Sequence, residues 1–146
     1  MNYSRIVLAG VVATIVDLAY GFLVYGMLIA HEYAPYSAVY RSSEEAQSHL
    51  PLGLAGIFIA ILVAAIIYAK GYEGKSGLVE GARFGLLLGI FVLCYSVGTN
   101  YATLNISARL ALVQALVAIP EWILVGIAIG LVYKPKTLAP SRTAVA

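Results

Sequence analysis

The sequence predicts an all-α integral membrane bundle of four transmembrane helices, and three observations carry that reading. The chain is 62% hydrophobic and 11% charged over 146 residues, with a mean hydropathy of +0.91. A soluble domain carries about 25% charged residues, and one of this size has too little core to hide so much apolar surface from water. The apolar residues also form four continuous runs rather than alternating ones, which favours helices over an eight-stranded barrel. Finally, the basic residues gather on one side of those runs.

The runs lie at about 6–30, 52–69, 78–101 and 110–133, so residues 1–133 form one four-helix transmembrane domain. Each is a length of helix suited to roughly 30 Å of hydrocarbon at about 1.5 Å per residue. The first is longer than the core of a signal peptide (about 7–15 residues) and is followed by no small-x-small cleavage site, so it reads as a retained helix. The second is the shortest, and either stands upright or extends by a turn into the loop. Residues 31–51 form an outer loop, within which Ser42-Ser43-Glu44-Glu45 has the form of a helix start, serine at the cap and acids in the first turn. Residues 134–146, with Pro135 and Pro140, read as a flexible tail.

Arg5, Lys70, Lys75, Arg83, Lys134, Lys136 and Arg142 fall on one side of the four spans, and only Arg41 and Arg109 on the other. The positive-inside rule then places both termini in the cytoplasm. Tyr3, Tyr68, Tyr72 and Tyr133 mark the inner boundary and Tyr33, Tyr36 and Tyr101 the outer one, where a ring with one wet end suits the headgroup layer.

Small residues set the expected packing, because lipid gives helices little hydrophobic reason to associate. Gly81, Gly85 and Gly89 form a row on the third span, Gly126 and Gly130 on the fourth, and Gly56, Ala60 and Ala64 on the second. On the first span Gly10, Asp17 and Gly21 share a face. Tight bundle packing is one use of these rows and a homodimer interface is the other.

The candidate site is a pair of acids. Asp17 and Glu121 stand in the middle of apolar spans at similar depth, where a charge costs about 2.5–3.5 kcal/mol on insertion scales. Tyr20 flanks Asp17 one turn on. Glu121 lies between Pro120, which should kink the helix and free the carbonyl of Leu116, and the indole of Trp122. Such a site binds and releases a proton, holds a cation, or serves as neutral helix glue with Tyr20, Trp122 or a serine such as Ser96 as partner.

Other motifs are weaker. Gly71-Tyr72-Glu73-Gly74-Lys75-Ser76 looks like part of a phosphate loop, but position 69 is Ala where the pattern needs glycine, and the stretch joins two membrane helices. A tight glycine-hinged hairpin is the better reading. Glu80 and Arg83 lie one turn apart and should pair; with Glu73 and Lys75 they form a mixed-charge cluster on the cytoplasmic face. His31 and His49 are eighteen residues apart and match no standard metal spacing, so no metal is expected. The single cysteine, Cys94, excludes a thiol relay, and the net charge of +2 with scattered basic residues gives no footprint for nucleic acid.

The segments Tyr20-Gly21-Phe22-Leu23-Val24-Tyr25-Gly26, Val79 to Gly89 and Gly126 to Gly130 together resemble small bacterial four-helix membrane proteins of unknown function. That resemblance implies a bacterial inner-membrane location and brings no activity with it. The expected role is a non-enzymatic structural or accessory subunit without cofactor, packed in the lipid bilayer as a homo-oligomer or within a larger membrane complex. The alternative is a small proton- or cation-coupled transporter or channel that uses the midplane acids.

Overall fold

The computed structural model describes residues 1–133, and the tail expected over 134–146 lies outside them. Four helices in it are long and apolar enough to cross a membrane: Tyr3–Leu28, Glu44–Lys70, Gly77–Thr103 and Ala108–Val132. No strand occurs among the described residues. The elements are α1 (Tyr3–Gly21, continued by a π-helical stretch Phe22–Leu28), α2 (Ala30–Tyr33), α3 (Ser43–Lys70), α4 (Gly77–Val92, continued by a π-helical stretch Leu93–Val97), α5 (Gly98–Thr103) and α6 (Ala108–Val132).

Local chemistry fixes the helix starts. The side chains of Asn2, Ser42 and Ser107 accept from the backbone N–H groups of Arg5, Glu45 and Leu110 at 3.3, 3.2 and 3.2 Å, each satisfying one orphan donor of a first turn. The start at Ser42 corrects the loop expected over 31–51. The helix it nucleates does not end at Pro51 but runs through it without interruption to Lys70. Pro51 stands more than two turns inside the helix and leaves the carbonyl of Gln47 without its usual donor, and the apolar sequence that follows carries the helix on.

The first and last helices and the 71–76 connection meet at one end of the bundle, here the terminal end; α2 and the 104–107 connection form the distal end. In cross-section α1 lies between α3 and α6, and α6 between α1 and α4. At the terminal end Ile6, Ala9 and Ala13 of α1 pack with Ile61, Ala64 and Ala65 of α3 and with Val125 and Ile129 of α6. Tyr68, Tyr72, Phe84 and Tyr133 cover that core with edge-on rings; Tyr68 lies 5.4 Å from Phe84 and 6.0 Å from Tyr133, centroid to centroid.

The closest seam joins α4 to α6. A Cβ placed on Gly126 would lie 2.6 Å from the Cα of Gly85, and one on Gly130 would lie 3.0 Å from the Cα of Gly81. Backbones this near admit only glycine, so Gly81, Gly85, Gly126 and Gly130 serve as packing residues, joined by Gly77. The rows on the other two spans behave differently. Gly10 meets Leu62, whereas Gly21 and Gly56 have nothing within 4 Å of an added Cβ. Ala64 is buried but Ala60 is exposed, as is nearly every residue of α3 from Glu44 to Ala60. The distal half of α3 therefore stands away from the other helices.

Candidate functional site

Glu121 is the centre of the polar interior. It occupies the face of α6 that also carries Gln114 and Ala118, at offsets of seven and three residues, and Pro120 precedes it within a helix that continues unbroken. Because Pro120 has no N–H, the carbonyl of Leu116 has no donor at that position. The hydroxyl of Tyr20 crosses from α1 and donates to the next carbonyl, that of Val117, at 2.8 Å. Tyr20 thus supports the backbone of α6 beside the proline and does not bond Asp17, as its position one turn from that acid had implied.

The partner of Glu121 is Tyr25, which donates to its Oε2 at 3.0 Å. Tyr25 stands in the π-helical stretch of the first span, where Ile29 N–H reaches the Val24 carbonyl five residues back at 2.9 Å. A wide turn of this kind offsets the following residues by about 100° from the regular α pattern, and such turns recur at functional sites. A second one lies opposite, Leu93–Val97, where Gly98 N–H bonds the Leu93 carbonyl. The Thr99 hydroxyl caps the carbonyls of Tyr95 and Ser96 within it.

Both wide turns border the same space. A cleft of about 180 Å³ is lined by Tyr25 and Tyr33, by Val92, Ser96, Val97 and Asn100, and by Gln114, Ala118 and Glu121. The Gln114 amide donates to the hydroxyls of Tyr33 and Tyr40 at 3.4 and 3.2 Å, and its Oε1 is buried without a partner. Three irregularities of the backbone, two π-helical stretches and one proline, therefore surround one half-buried carboxylate.

None of the other expected members bonds Glu121, although Asp17 lies within reach of its charge. Asp17 is 9% exposed on the buried face of α1 with Ala9, Gly10, Ala13 and Thr14, and neither lines the cleft nor bonds Glu121. The Trp122 carbonyl lies against Gly85 and its Cβ against Gly89, its side chain packs partly buried against the core, and no hydrogen bond joins it to either acid. Ser96 does reach the cleft but bonds neither carboxylate. Tyr25, Tyr33, Asn100 and Gln114 were not legible as site residues. Gln114 alone left a signal, as an amide seven residues from Glu121 on one helical face.

The segment that carries Tyr33 is tied to the start of α6 at the distal end. The Tyr36 hydroxyl donates to Ser107 Oγ at 2.6 Å, and Arg109 bonds Glu32 at 2.6 Å, with His31 Nε2 3.3 Å from the same oxygen. The Arg109 hydrogen bond holds the Glu32 carboxyl below its usual range. His49 bonds only its own helix, through Glu45 O and Ser48, and no three metal-ligating side chains converge among the described residues.

At the terminal end the charge cluster is rearranged. Glu80 does not pair with Arg83. Its carboxylate instead accepts from the backbone N–H groups of Glu73 at 2.7 Å and Lys75 at 3.1 Å. Two converging amides outbid a flexible arginine because they are fixed in place, and burial of Glu80 to 8% exposure keeps water from competing. The anion cradle suggested by the phosphate-loop likeness is thus filled by the chain's own carboxylate, around Gly74 at φ +80°. Lys75 pairs with Glu73 at 2.6 Å and holds that carboxyl below its usual range.

No curated protein and no solved structure matches the chain. One family does: that described as "Protein of unknown function (DUF1761)" matches residues 8–130, a stretch that takes in every residue lining the cleft. The chain belongs to this family, and is a member with four helices long and apolar enough to span a membrane.

Proposed function

We propose that this protein is a small, non-enzymatic carrier or channel for a proton or monovalent cation, and that Glu121 is the group that binds it. The observation that supports this reading is the convergence of three backbone irregularities on one carboxylate in a polar cleft. A carboxylate used only as glue needs a donor and no cavity, whereas Glu121 has a donor and a cleft of about 180 Å³ beside it. In this reading the protein lies in the bacterial inner membrane with both termini in the cytoplasm, supported by Arg5, Lys70, Lys75 and Arg83 at the terminal end against Arg41 and Arg109 at the distal end.

The test is flux in proteoliposomes holding the purified full chain, with a trapped pH dye and a potassium diffusion potential. The wild type is expected to pass protons faster than empty vesicles. Glu121→Gln should cut that flux by about tenfold or more, and Glu44→Gln, on the exposed start of α3, should leave it within about twofold. Equal flux in wild type and Glu121→Gln overturns the reading.

The accessory-subunit or oligomer reading has its own support in α3. Gly53 and Gly56 lie on its exposed distal half with nothing within 4 Å, and the small-residue row that packs at Ala64 continues there unpartnered. If that half is an assembly surface, native mass spectrometry from mild detergent gives a stoichiometric complex, and Gly56→Leu reduces it to the single chain.

A further inference from the structure

We propose that the cleft beside Glu121 selects a small primary ammonium cation, with methylammonium as the simplest probe; this rests on the reading of Glu121 as a cation-binding group. The donor and acceptor inventory leads there. Tyr25 spends its proton on Glu121 Oε2, which leaves Oε1 free to accept. The Gln114 amide donates to the hydroxyls of Tyr33 and Tyr40, and its carbonyl oxygen stays buried and unpaired. The Ser96 hydroxyl and the Asn100 amide add further acceptors on the opposite wall. Glu121 Oε1 and the buried Gln114 oxygen together present two open acceptors, which suits a ligand that donates to both, while Tyr33, Ser96 and Asn100 keep hydroxyl and amide protons of their own.

The charge and the walls narrow the class. One carboxylate gives a single negative charge, which suits a monovalent cation; calcium wants six to eight oxygens with several carboxylates, and magnesium a tight octahedron. The cleft is also bounded by the rings of Tyr25 and Tyr33, the latter braced edge-on by Tyr40 at 5.1 Å. Tyrosine faces attract organic cations and tolerate a methyl group, whereas a sodium ion holds its water more tightly. An ammonium head would donate to Glu121 Oε1 and Gln114 Oε1 and set its alkyl group against the rings.

The experiment is isothermal titration of the full chain in detergent with methylammonium chloride, against sodium chloride at matched ionic strength. Saturable binding with a dissociation constant of about 1 mM or tighter is expected. It should weaken by about tenfold or more in Glu121→Gln and by roughly three- to tenfold in Gln114→Leu. Excess sodium should leave it unchanged. Unfolding temperatures of both variants show whether each is folded, and sodium competition on the wild type tests selectivity without any variant. Absence of saturable binding, one-for-one displacement by sodium, or undiminished binding in a folded Glu121→Gln each overturns the proposal. Glu121-dependent flux of protons or sodium without methylammonium binding would sink this inference and leave the wider reading standing; methylammonium binding without any Glu121-dependent flux would do the reverse.

Discussion

Tyr25 and Glu121, ninety-six residues apart, are joined by a 3.0 Å hydrogen bond that links the π-helical stretch of the first span to the proline-marked stretch of the last. Removing the hydroxyl by Tyr25→Phe leaves a carboxylate without its donor in a half-buried place. That should cost about 1–3 kcal/mol of stability, while Glu121→Gln, which still accepts from Tyr25, should cost less than about 1 kcal/mol. Reversible unfolding in mixed micelles reads both. Equal losses would mean that the bond contributes nothing particular to the fold.

The glycine seam gives a sharper contrast. Gly126→Ala drives a methyl group into the backbone of α4 at Gly85, where no side chain can move aside. The expected loss is about 3 kcal/mol or more, at or beyond the upper end for overpacking. Gly56→Ala, in open space on an exposed part of α3, should be neutral or stabilising by up to about 1 kcal/mol, because alanine favours helix. The same unfolding assay compares them, and a tolerated Gly126→Ala would contradict the close approach of the two helices.

Glu80 is expected to act as the latch of the 71–76 hairpin. Each bond from a backbone amide to a charged acceptor is worth about 1.5–3 kcal/mol. Amide hydrogen exchange at Glu73 and Lys75 should therefore accelerate by about tenfold to a hundredfold in Glu80→Ala. Arg83→Ala, which removes no bond to Glu80, should leave those two amides unchanged. Exchange that responds to Arg83 and not to Glu80 would restore the intrahelical pair expected from their spacing.

The contact between α2 and the start of α6 carries a pH dependence of defined sign. Glu32 is held below its ordinary value of 4.5, chiefly by the hydrogen bond from Arg109. A carboxyl depressed in the folded chain contributes stability at pH above its ordinary value, and that contribution is lost as pH falls through the lower folded value. The segment bearing Glu32 should thus stay docked from neutral pH down to 4.5 and loosen only below it. An environment-sensitive dye at Ala38→Cys, in a Cys94→Ser background, follows the docking. Release beginning well above pH 4.5 would show that Glu32 and Arg109 do not hold it.

The sequence by itself determined the number and apolar character of the helices, since composition and run length depend only on what lipid tolerates. It also marked Glu121 as a residue needing an explanation, and the glycines at 81, 85, 126 and 130 as points of close approach. Helix α3 exceeded its expected length because a serine cap acts locally and a single early proline does not cancel it. What only the tertiary structure decided was which side chains meet. Tyr25 reaches Glu121 from a wide turn whose rotation breaks the regular period used to assign faces, so Tyr20 looked the nearer partner and Trp122 the more polar one. Glu80 prefers loop amides to Arg83 because the fold of the hairpin, absent from any helical wheel, brings two fixed donors to it. Periodicity describes a helix alone; the choice among partners belongs to the helices together.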